Sequence, residues 1–407
     1  MANLKRIFLI IIVGIIFLLP THFLWAAEKE KSLDTYLKYF YNRYSQNFDV
    51  KGLKYINPSY GIKTDKKAET FREWVSLASY YKYRALAGDE NAKNILKNAL
   101  LSGLNELKSR PAYSQSFNDA EAIFLTIIIN ETLPDLLNNT QKNDFFSLAK
   151  NYIEAGINAR DSENRALVAA SHWQYISDYL YNQKIISLSD KNYINGLIKN
   201  KIDAAINECI NEKYWYFEGQ GKYFSVHYQA VSAFMLMWYG EQTNQDYYKN
   251  MARLMYINTK KISFYNGMVE AKIGHRPPGL GAQFYLMMAL IGQYFHDDDY
   301  RVYLFYSRGN RFFSNRQQPN QLEYHSTLEG SLPNYHDDYA FSDAGEIGLE
   351  IGKFDNMNLN NKYYFTNPVS QTQDKYFKVI NNKKNIIINQ KVVILGSYGN
   401  WSKLTTK

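Results

Sequence analysis

Two short segments of this chain place imidazole, phenol, amide and guanidinium groups in otherwise apolar, helix-forming sequence. The groups that could take part in chemistry are Asn164, Arg165, His172, Trp173 and Tyr175 in the first segment, and Tyr223, His227 and Tyr228 in the second. An imidazole exchanges protons near neutral pH, and an amide or a guanidinium can hold a carboxylate. Because polar groups in apolar surroundings cost free energy unless they pair or react, we interpret the two segments as parts of one site.

The first segment lies on a predicted helix that begins near Glu163. A spacing of seven residues puts Arg165 and His172 on almost the same stripe of this helix, and Asn164 lies on the neighbouring stripe. One face therefore carries an unusual density of polar groups. The alternative for the individual residues is that Asn164 caps the helix and that His172 is a packing histidine.

The second segment follows a glycine-containing loop that includes Glu218, and it runs into an apolar helix. Glycine lets such a loop approach a ligand closely because it has no side chain. His227 and Tyr228 then fall in the first helical turn, where exposed backbone amides favour an anion. The alternative is aromatic packing at a helix start.

A third polar loop, 274–281, precedes another apolar helix and contains Arg276, whose planar guanidinium could clamp a carboxylate. Its prolines and glycines could instead serve only to end one helix and begin the next. Two acidic turns, 296–299 and 336–339, each combine a histidine with aspartates. Such isolated runs usually cap helices or face solvent, so we predict no metal site.

The composition restricts the class of partner. The chain has 36 tyrosines, 23 phenylalanines and six tryptophans, and aromatic rings stack on the apolar faces of sugars. A net charge of +8 favours an anionic partner such as an acidic polysaccharide. The alternative is that the charge serves only to keep a basic surface soluble. The sequence shows no basic run, zinc spacing or phosphate loop, so we predict no nucleic-acid partner. The single cysteine, Cys209, excludes a disulfide within the chain.

The first residues have the pattern of an export signal. Lys5 and Arg6 precede an apolar run from Ile7 to Leu19, and small residues follow at Ala26 and Ala27. We predict a cleaved signal over 1–27 and a mature protein in the periplasm or outside the cell, with no membrane association after cleavage. The alternative is an N-terminal membrane anchor that is retained.

Apolar residues recur at three and four positions through most of the chain, which predicts helix after helix. The predicted helices are 33–46, 67–87, 90–107, 117–130, 142–157, 163–182, 189–211, 225–240, 244–260 and 280–295. Helices that are apolar all round alternate with amphipathic ones, as an arrangement of inner and outer helices requires. We therefore predict an all-α fold, an (α/α) incomplete toroid, over 28–300. Residues 301–407 form an irregular to β-rich region, with strands at 386–388 and 392–395.

The two polar segments resemble motifs of the alginate lyase and heparinase II/III-like polysaccharide lyases, which are helical toroids. In those families one helix carries an Asn–His type motif followed by Trp, and a later helix begins with Tyr or His-Tyr after a loop containing glycine or an acid. The matching residues are Asn164 with Ser171-His172-Trp173, and Glu218-Gly219 with Val226-His227-Tyr228. The similarity covers about residues 60 to 300. Arg165 stands where an alginate lyase usually has histidine.

This resemblance implies β-elimination at a uronic acid, without a metal or other cofactor. The catalytic candidates are Asn164, His172, His227 and Tyr228, and the substrate-binding candidates are Arg165, Trp173, Tyr175, Glu218, Tyr223 and Arg276. Asn164, with Arg165 or Arg276, would neutralise the sugar carboxylate as charge moves onto it. A histidine of this set would be the base, and Tyr228 would be base or acid.

Two other functions remain open from the sequence. A glycoside hydrolase on a similar helical barrel needs two carboxylates that flank the scissile bond. Glu218 is one candidate, with Asp119, Glu121 or Asp338 as its partner. A non-catalytic glycan-binding or export-scaffold protein would keep the aromatic residues and the basic charge without turnover.

Overall fold

A computed structural model describes most of the helical part of the chain. It covers residues 81–109, 116–263 and 282–297, with gaps at 83, 160 and 222, the single positions 78, 302, 305 and 347, and the strands 48–49, 54–55, 377–380, 383–388 and 391–394. The predicted signal at 1–27, the candidates Arg276 and Asp338, and the acidic turn 336–339 lie outside the described residues.

The described helices follow the apolar periodicity of the sequence. In chain order they are α1 (Glu90–Ser109), α2 (Ser116–Thr132), α3 (Asn139–Ile157), α4 (Glu163–Asn182), α5 (Leu188–Cys209), the short α6 (Glu218–Gly221), α7 (Val226–Gln242), α8 (Asp246–Lys261) and α9 (Ala282–Tyr294). The strand β3 (Tyr223–Phe224) lies between α6 and α7. The predicted all-α toroid is confirmed.

Inner and outer helices alternate along the chain. Helices α2, α4, α7 and α9 are buried over most of their surface, and α2 packs against α4, α4 against α7, and α7 against α9. Helices α3, α5 and α8 bury one face only, which explains their mixed composition. The inner helices therefore form the layer that can line a site, and the outer helices support it.

The inner helices α2, α4 and α7 run parallel. Near the start of α2, the Phe117 ring contacts Arg165 at the start of α4, and further along, the Phe124 ring contacts His172. His172 in turn contacts the Trp238 ring late in α7. At the other level, Tyr216 hydrogen-bonds to Asn164 early in α4 and contacts the Tyr228 ring early in α7. Because the order of contacts is the same along each helix, the N-termini of all three lie at one end of the toroid.

Each outer helix runs antiparallel to its inner neighbour. A Cβ added at Gly156 near the end of α3 would lie 2.4 Å from the Trp173 ring in the middle of α4, while Phe146 near the start of α3 contacts Tyr179 towards the end of α4. In the same way Tyr239 near the end of α7 contacts Tyr248 near the start of α8, with ring centres 4.9 Å apart. The helices thus form successive hairpins.

The described strands outside the helical part pair locally. β1 (Phe48–Asp49) pairs antiparallel with β2 (Lys54–Tyr55), and β4 (Phe377–Ile380), β5 (Lys383–Ile388) and β6 (Lys391–Ile394) form an antiparallel sheet in chain order. The strands predicted at 386–388 and 392–395 belong to β5 and β6. Within the described part of the chain, no helix combines the length and apolar character needed to cross a bilayer.

Candidate active site

The two polar segments meet at the end of the toroid where the inner helices begin. The Arg165 guanidinium carbon lies 5.5 Å from the centre of the Phe117 ring, which joins the starts of α4 and α2. Asn164 hydrogen-bonds to Tyr216, and the Tyr216 ring lies 6.0 Å from the ring of Tyr228 in the first turn of α7. We call this end, with the segment 210–225 that crosses it, the N-terminal face.

Asn164 and Tyr216 form a reciprocal pair. The backbone amide of Asn164 donates to the Tyr216 hydroxyl at 3.2 Å, and that hydroxyl donates to Asn164 Oδ1 at 3.3 Å. The N-cap position of α4 is Ser162, so the structure does not support the cap alternative for Asn164. Burial, with smaller contributions from Cys209, Glu218 and Glu163, raises the pKa of Tyr216 well above its ordinary value. The phenol therefore stays protonated and keeps its role as donor.

The segments that carry this pair contain strained backbone. Glu163, directly before Asn164, has a φ of 56°, and Tyr214, two residues before Tyr216, has a φ of 61°. Both are in the left-handed region, which costs a residue with a side chain about 1–3 kcal/mol. Such conformations persist only where the surroundings hold them, and they concentrate at functional sites.

Three buried carboxyl groups lie on the segments that form the N-terminal face. Glu218 on α6 is 4% exposed, and Asp119 and Glu121 on α2 are 2% and 1% exposed. Carboxyl groups are almost never buried to this degree without a specific partner or role. The alternative acid–base residues considered from the sequence thus lie on the elements that meet at this end, except for Asp338, which is outside the described residues.

Asp119 and Glu121 occupy different positions on α2. Glu121 follows Phe117 by four residues and precedes Phe124 by three, and both rings contact α4, so Glu121 lies on the face of α2 toward α4. Asp119 belongs to the first turn of α2 and points to another face. Asp119 is therefore the carboxyl group of α2 that lies nearest the open end of the helix.

His172 lies in the aromatic core between inner helices. Its ring centre is 5.1 Å from that of Phe124 and 5.0 Å from that of Trp238, both edge-to-face, and Nδ1 is 2.8 Å from the Val168 carbonyl oxygen. Burial lowers the pKa of His172 to about 4, while the bond to Val168 acts weakly in the opposite direction. The ring is thus neutral at neutral pH, which matches the packing alternative given for it.

Two aromatic candidates of the first segment lie away from the N-terminal face. Trp173 is fully buried, and its ring packs so closely on Gly156 of α3 that no side chain would fit there. Tyr175 donates a hydrogen bond from its hydroxyl to Glu131 at 3.3 Å, near the C-terminal end of α2. Both residues stabilise the packing of α4 and do not join Asn164 and Arg165.

The second segment remains at the N-terminal face. His227 and Tyr228 are both 7% exposed, and their ring centres lie 5.1 Å apart. Ser225 caps α7 by accepting the backbone amide of Tyr228 at 3.3 Å. Tyr223 belongs to β3, and its side chain, like Arg276, lies outside what the structure describes.

Sequence reasoning gave no role to Tyr216 or Gln229, which are central to this geometry. Gln229 accepts the backbone amide of Tyr216 and donates to the carbonyl oxygens of Tyr214 and Met255. The available signal was a glutamine inside α7, in which every residue from Val226 to Gly240 is buried. A buried amide must find hydrogen-bond partners, and two of the three partners of Gln229 lie in the segment 214–216, which contains the strained Tyr214.

The described residues give no support for metal or thiol chemistry. They contain no group of three or more histidine, cysteine, aspartate and glutamate side chains that could hold an ion. Cys209 donates to the Ala205 carbonyl oxygen at 2.8 Å, and burial raises the pKa of its thiol. A thiol that stays protonated is a poor nucleophile.

No protein-family model matches the chain, and no curated protein matches its sequence. Solved structures share its fold. An unsaturated glucuronyl hydrolase variant from Streptococcus agalactiae, complexed with dGlcA-GalNAc6S, has 13% identity and a TM-score of 0.52, covering 79% of this chain and 91% of that chain. An unsaturated glucuronyl hydrolase specific for heparin has 12% identity and a TM-score of 0.52, covering 81% and 98%. The Lin0763 protein from Listeria innocua has 9% identity and a TM-score of 0.51, covering 78% and 97%.

These similarities establish the toroid and correct the predicted activity. The two structures above that carry a named activity are unsaturated glucuronyl hydrolases, which contradicts the predicted lyase and agrees with the hydrolase alternative. The resemblance to the alginate lyase and heparinase II/III-like families holds for the helical toroid and is not confirmed for the family. The sequence could not separate the two reactions, because the same segments contain the carboxyl, imidazole and phenol groups that either reaction could use.

Proposed function

We propose that this protein is a glycoside hydrolase that acts on an acidic, uronic-acid-containing saccharide at the N-terminal face. The observation that carries the proposal is the burial of Glu218 and Asp119 on segments that meet where α2, α4 and α7 begin. The fold shared with glucuronyl hydrolases supports the same reaction class.

The reaction needs two carboxyl groups with different tasks. One donates its proton to the glycosidic oxygen, so that the bond from this oxygen to the anomeric carbon breaks. The other, as a carboxylate, either takes a proton from the water that attacks this carbon or first attacks the carbon itself. We assign these two roles to Glu218 and Asp119 as a pair. Glu121 is assigned to the packing of α2 against α4, because it lies on that face.

An acidic substrate needs a cation near the sugar carboxylate. Arg165 is exposed at the N-terminal face, stacked on the Phe117 ring, and its guanidinium can form two parallel bonds with a carboxylate. The net charge of +8 favours the same class of ligand. We propose Arg165 as the contact for the uronic-acid carboxylate.

We also propose that residues 1–27 are a secretory signal that is cleaved on export. The basic residues Lys5 and Arg6, the apolar run after them and the small residues at Ala26 and Ala27 support a secretory signal over 1–27. Mass measurement of the protein recovered from the producing cell would test it. A mature N-terminus near residue 28 agrees with cleavage, and an intact N-terminus contradicts it.

Matched variants test the assignment of the carboxyl pair. The wild-type protein and the variants Glu218→Gln, Asp119→Asn and Glu121→Gln are incubated with uronic-acid-containing oligosaccharides, and new reducing ends are counted. Loss of an acid or base should lower turnover about 100- to 10,000-fold in the first two variants. Glu121→Gln is the control, because it removes an equally buried carboxyl group from the same helix.

Each outcome of this experiment has a defined meaning. Turnover that survives in Glu218→Gln contradicts the assignment of Glu218. A loss in Glu218→Gln and Glu121→Gln, with turnover retained in Asp119→Asn, moves the second role from Asp119 to Glu121. If the wild-type protein binds the oligosaccharides but releases no fragment, the hydrolase proposal fails and a glycan-binding protein replaces it.

A further inference from the structure

We propose that Gln229 is a positioning residue, which acts through Tyr216 to hold Glu218 at the N-terminal face. The inference rests on the proposed hydrolase function, because Glu218 is the carboxyl group that is positioned. Gln229 itself is fully buried, and its hydrogen bonds go to backbone groups of the chain, so its role is indirect.

The Gln229 side chain joins three parts of the chain. Its Oε1 accepts the backbone amide of Tyr216 at 2.6 Å, and its Nε2 donates to the carbonyl oxygens of Tyr214 at 3.0 Å and Met255 at 3.1 Å. Both donor hydrogens and one acceptor site are therefore used. The amide fixes the backbone of residues 214–216 to the inner helix α7 and to the outer helix α8.

Tyr216 is held at its other end by Asn164. The hydroxyl–Asn164 pair attaches the tip of the side chain to α4, while Gln229 holds the backbone of the same residue. Glu218 follows Tyr216 by two residues, and an antiparallel bridge between Phe217 and Phe224 continues the ordered segment. The position of Glu218 relative to α4 and α7 is thus set by Tyr216.

The backbone that Gln229 holds has a reason to move when released. Tyr214 has the left-handed φ of 61°, which a tyrosine adopts only under constraint. Its carbonyl oxygen is one of the acceptors of Gln229. Asn258 also donates to this oxygen, at the longer distance of 3.4 Å. Without the two shorter Gln229 bonds, to the Tyr214 carbonyl oxygen and from the Tyr216 amide, the segment can relax toward an ordinary conformation, and Glu218 moves with it. A displacement of about 1 Å at a reacting group can lower a rate about 100-fold.

A second buried glutamine provides a matched control. Gln174 on the inner helix α4 is 2% exposed and thus buried like Gln229, but among the described residues its amide donates to Asp178 of the same helix, at 3.0 Å, and to no other element. Replacing it removes the same group from the same layer of the toroid. The Gln174 replacement should leave the segment 214–218 unchanged.

The experiment compares Gln229→Met with Gln174→Met. We expect kcat to fall about 10- to 100-fold in Gln229→Met with KM nearly unchanged, and both constants to stay near wild type in Gln174→Met. Hydrogen exchange should become faster at the backbone amides of 214–218 in the first variant only. Faster exchange throughout the described helices of Gln229→Met would instead indicate a general loss of stability and would overturn the positioning role.

A second variant covers the case in which Gln229→Met does not fold. Tyr216→Phe removes one oxygen atom and its link to Asn164 while it keeps the ring packing and the bond from Gln229. It should also lower kcat with KM retained. Wild-type kcat in Tyr216→Phe, or unchanged exchange at 214–218 in a folded Gln229→Met, overturns the positioning role. If the wild-type protein has no turnover, the proposed function fails, and the exchange measurement alone decides whether Gln229 holds this segment.

Discussion

The environment of His172 shows how burial decides what a side chain can do. The residue type predicted a proton carrier, but the ring lies between Phe124 and Trp238 and is kept neutral by burial. For Asn164 the structure adds a contact that the sequence did not predict. The residue could have been a simple helix cap, but it joins α4 to Tyr216.

Burial of neutral His172 predicts a pH dependence of stability. Its pKa is about 4 in the folded protein and 6.5 as the ordinary value, so the unfolded chain binds the proton more readily. The contribution of His172 is fully present above pH 6.5 and is lost as the pH falls from 6.5 to 4, by about 3 kcal/mol in total. Urea unfolding of wild type and His172→Gln over this range measures it.

In the His172→Gln variant, the free energy of unfolding should depend much less on pH between 6.5 and 4. We expect the variant to be less stable than wild type at neutral pH. An equal pH dependence of the free energy of unfolding in the two proteins would contradict this prediction. So would a proton titration of His172 near pH 6.5 in the folded protein, since that value requires access to water.

Only some of the residue-level roles could be predicted from the sequence. The meeting of Asn164, Arg165 and Tyr228 at one end follows from their places in the first turns of two predicted helices, at 163 and 225. The burial of Trp173 against Gly156 could not be predicted, because it depends on which face of α4 meets α3. A helical stripe shows which residues share a side and does not show which neighbour covers that side.

At the scale of elements, helix boundaries followed local chemistry. The helix predicted at 142–157 begins earlier, at Asn139, because Asn138 and Gln141 form a capping box. The helix predicted at 189–211 ends at Cys209, because Ile210 pairs with Tyr216 in an isolated bridge. Periodicity identifies the body of a helix, whereas tertiary contacts determine its last residues.

The close approach of α3 and α4 gives a test of the packing. In Gly156→Ala the new Cβ would lie 2.4 Å from the Trp173 ring, and Trp173 is fully buried, so the two helices must shift to accept it. We expect a loss of about 1–3 kcal/mol in the free energy of unfolding, despite the better helix propensity of alanine.

Gly196 on α5 is the matched control, because an added Cβ there has no atom within 4 Å. Gly196→Ala should raise the free energy of unfolding by about 0.5–1 kcal/mol through helix propensity alone. Urea titration of both variants measures the two changes. A Gly156→Ala protein as stable as Gly196→Ala would show that α3 and α4 are farther apart than described.

At the scale of the whole molecule, the order of inner and outer helices was predictable and the reaction was not. Apolar and amphipathic helices alternate in the sequence, and this alternation determines which helices line the toroid. The choice between elimination and hydrolysis depends on where a few carboxyl groups lie in three dimensions. Glu218 and Asp119 are far apart in sequence, and only the parallel packing of the inner helices brings their segments to one end.

Whether the protein cleaves its substrate by hydrolysis is tested most directly by following the oxygen of water into the product. The wild-type protein is incubated with a uronic-acid-containing oligosaccharide in water enriched in heavy oxygen, and the fragments are analysed by mass spectrometry. Hydrolysis predicts one heavy oxygen atom per cleaved bond, with no new ultraviolet absorbance. Fragments that contain no heavy oxygen and gain ultraviolet absorbance would contradict the account, because they require elimination.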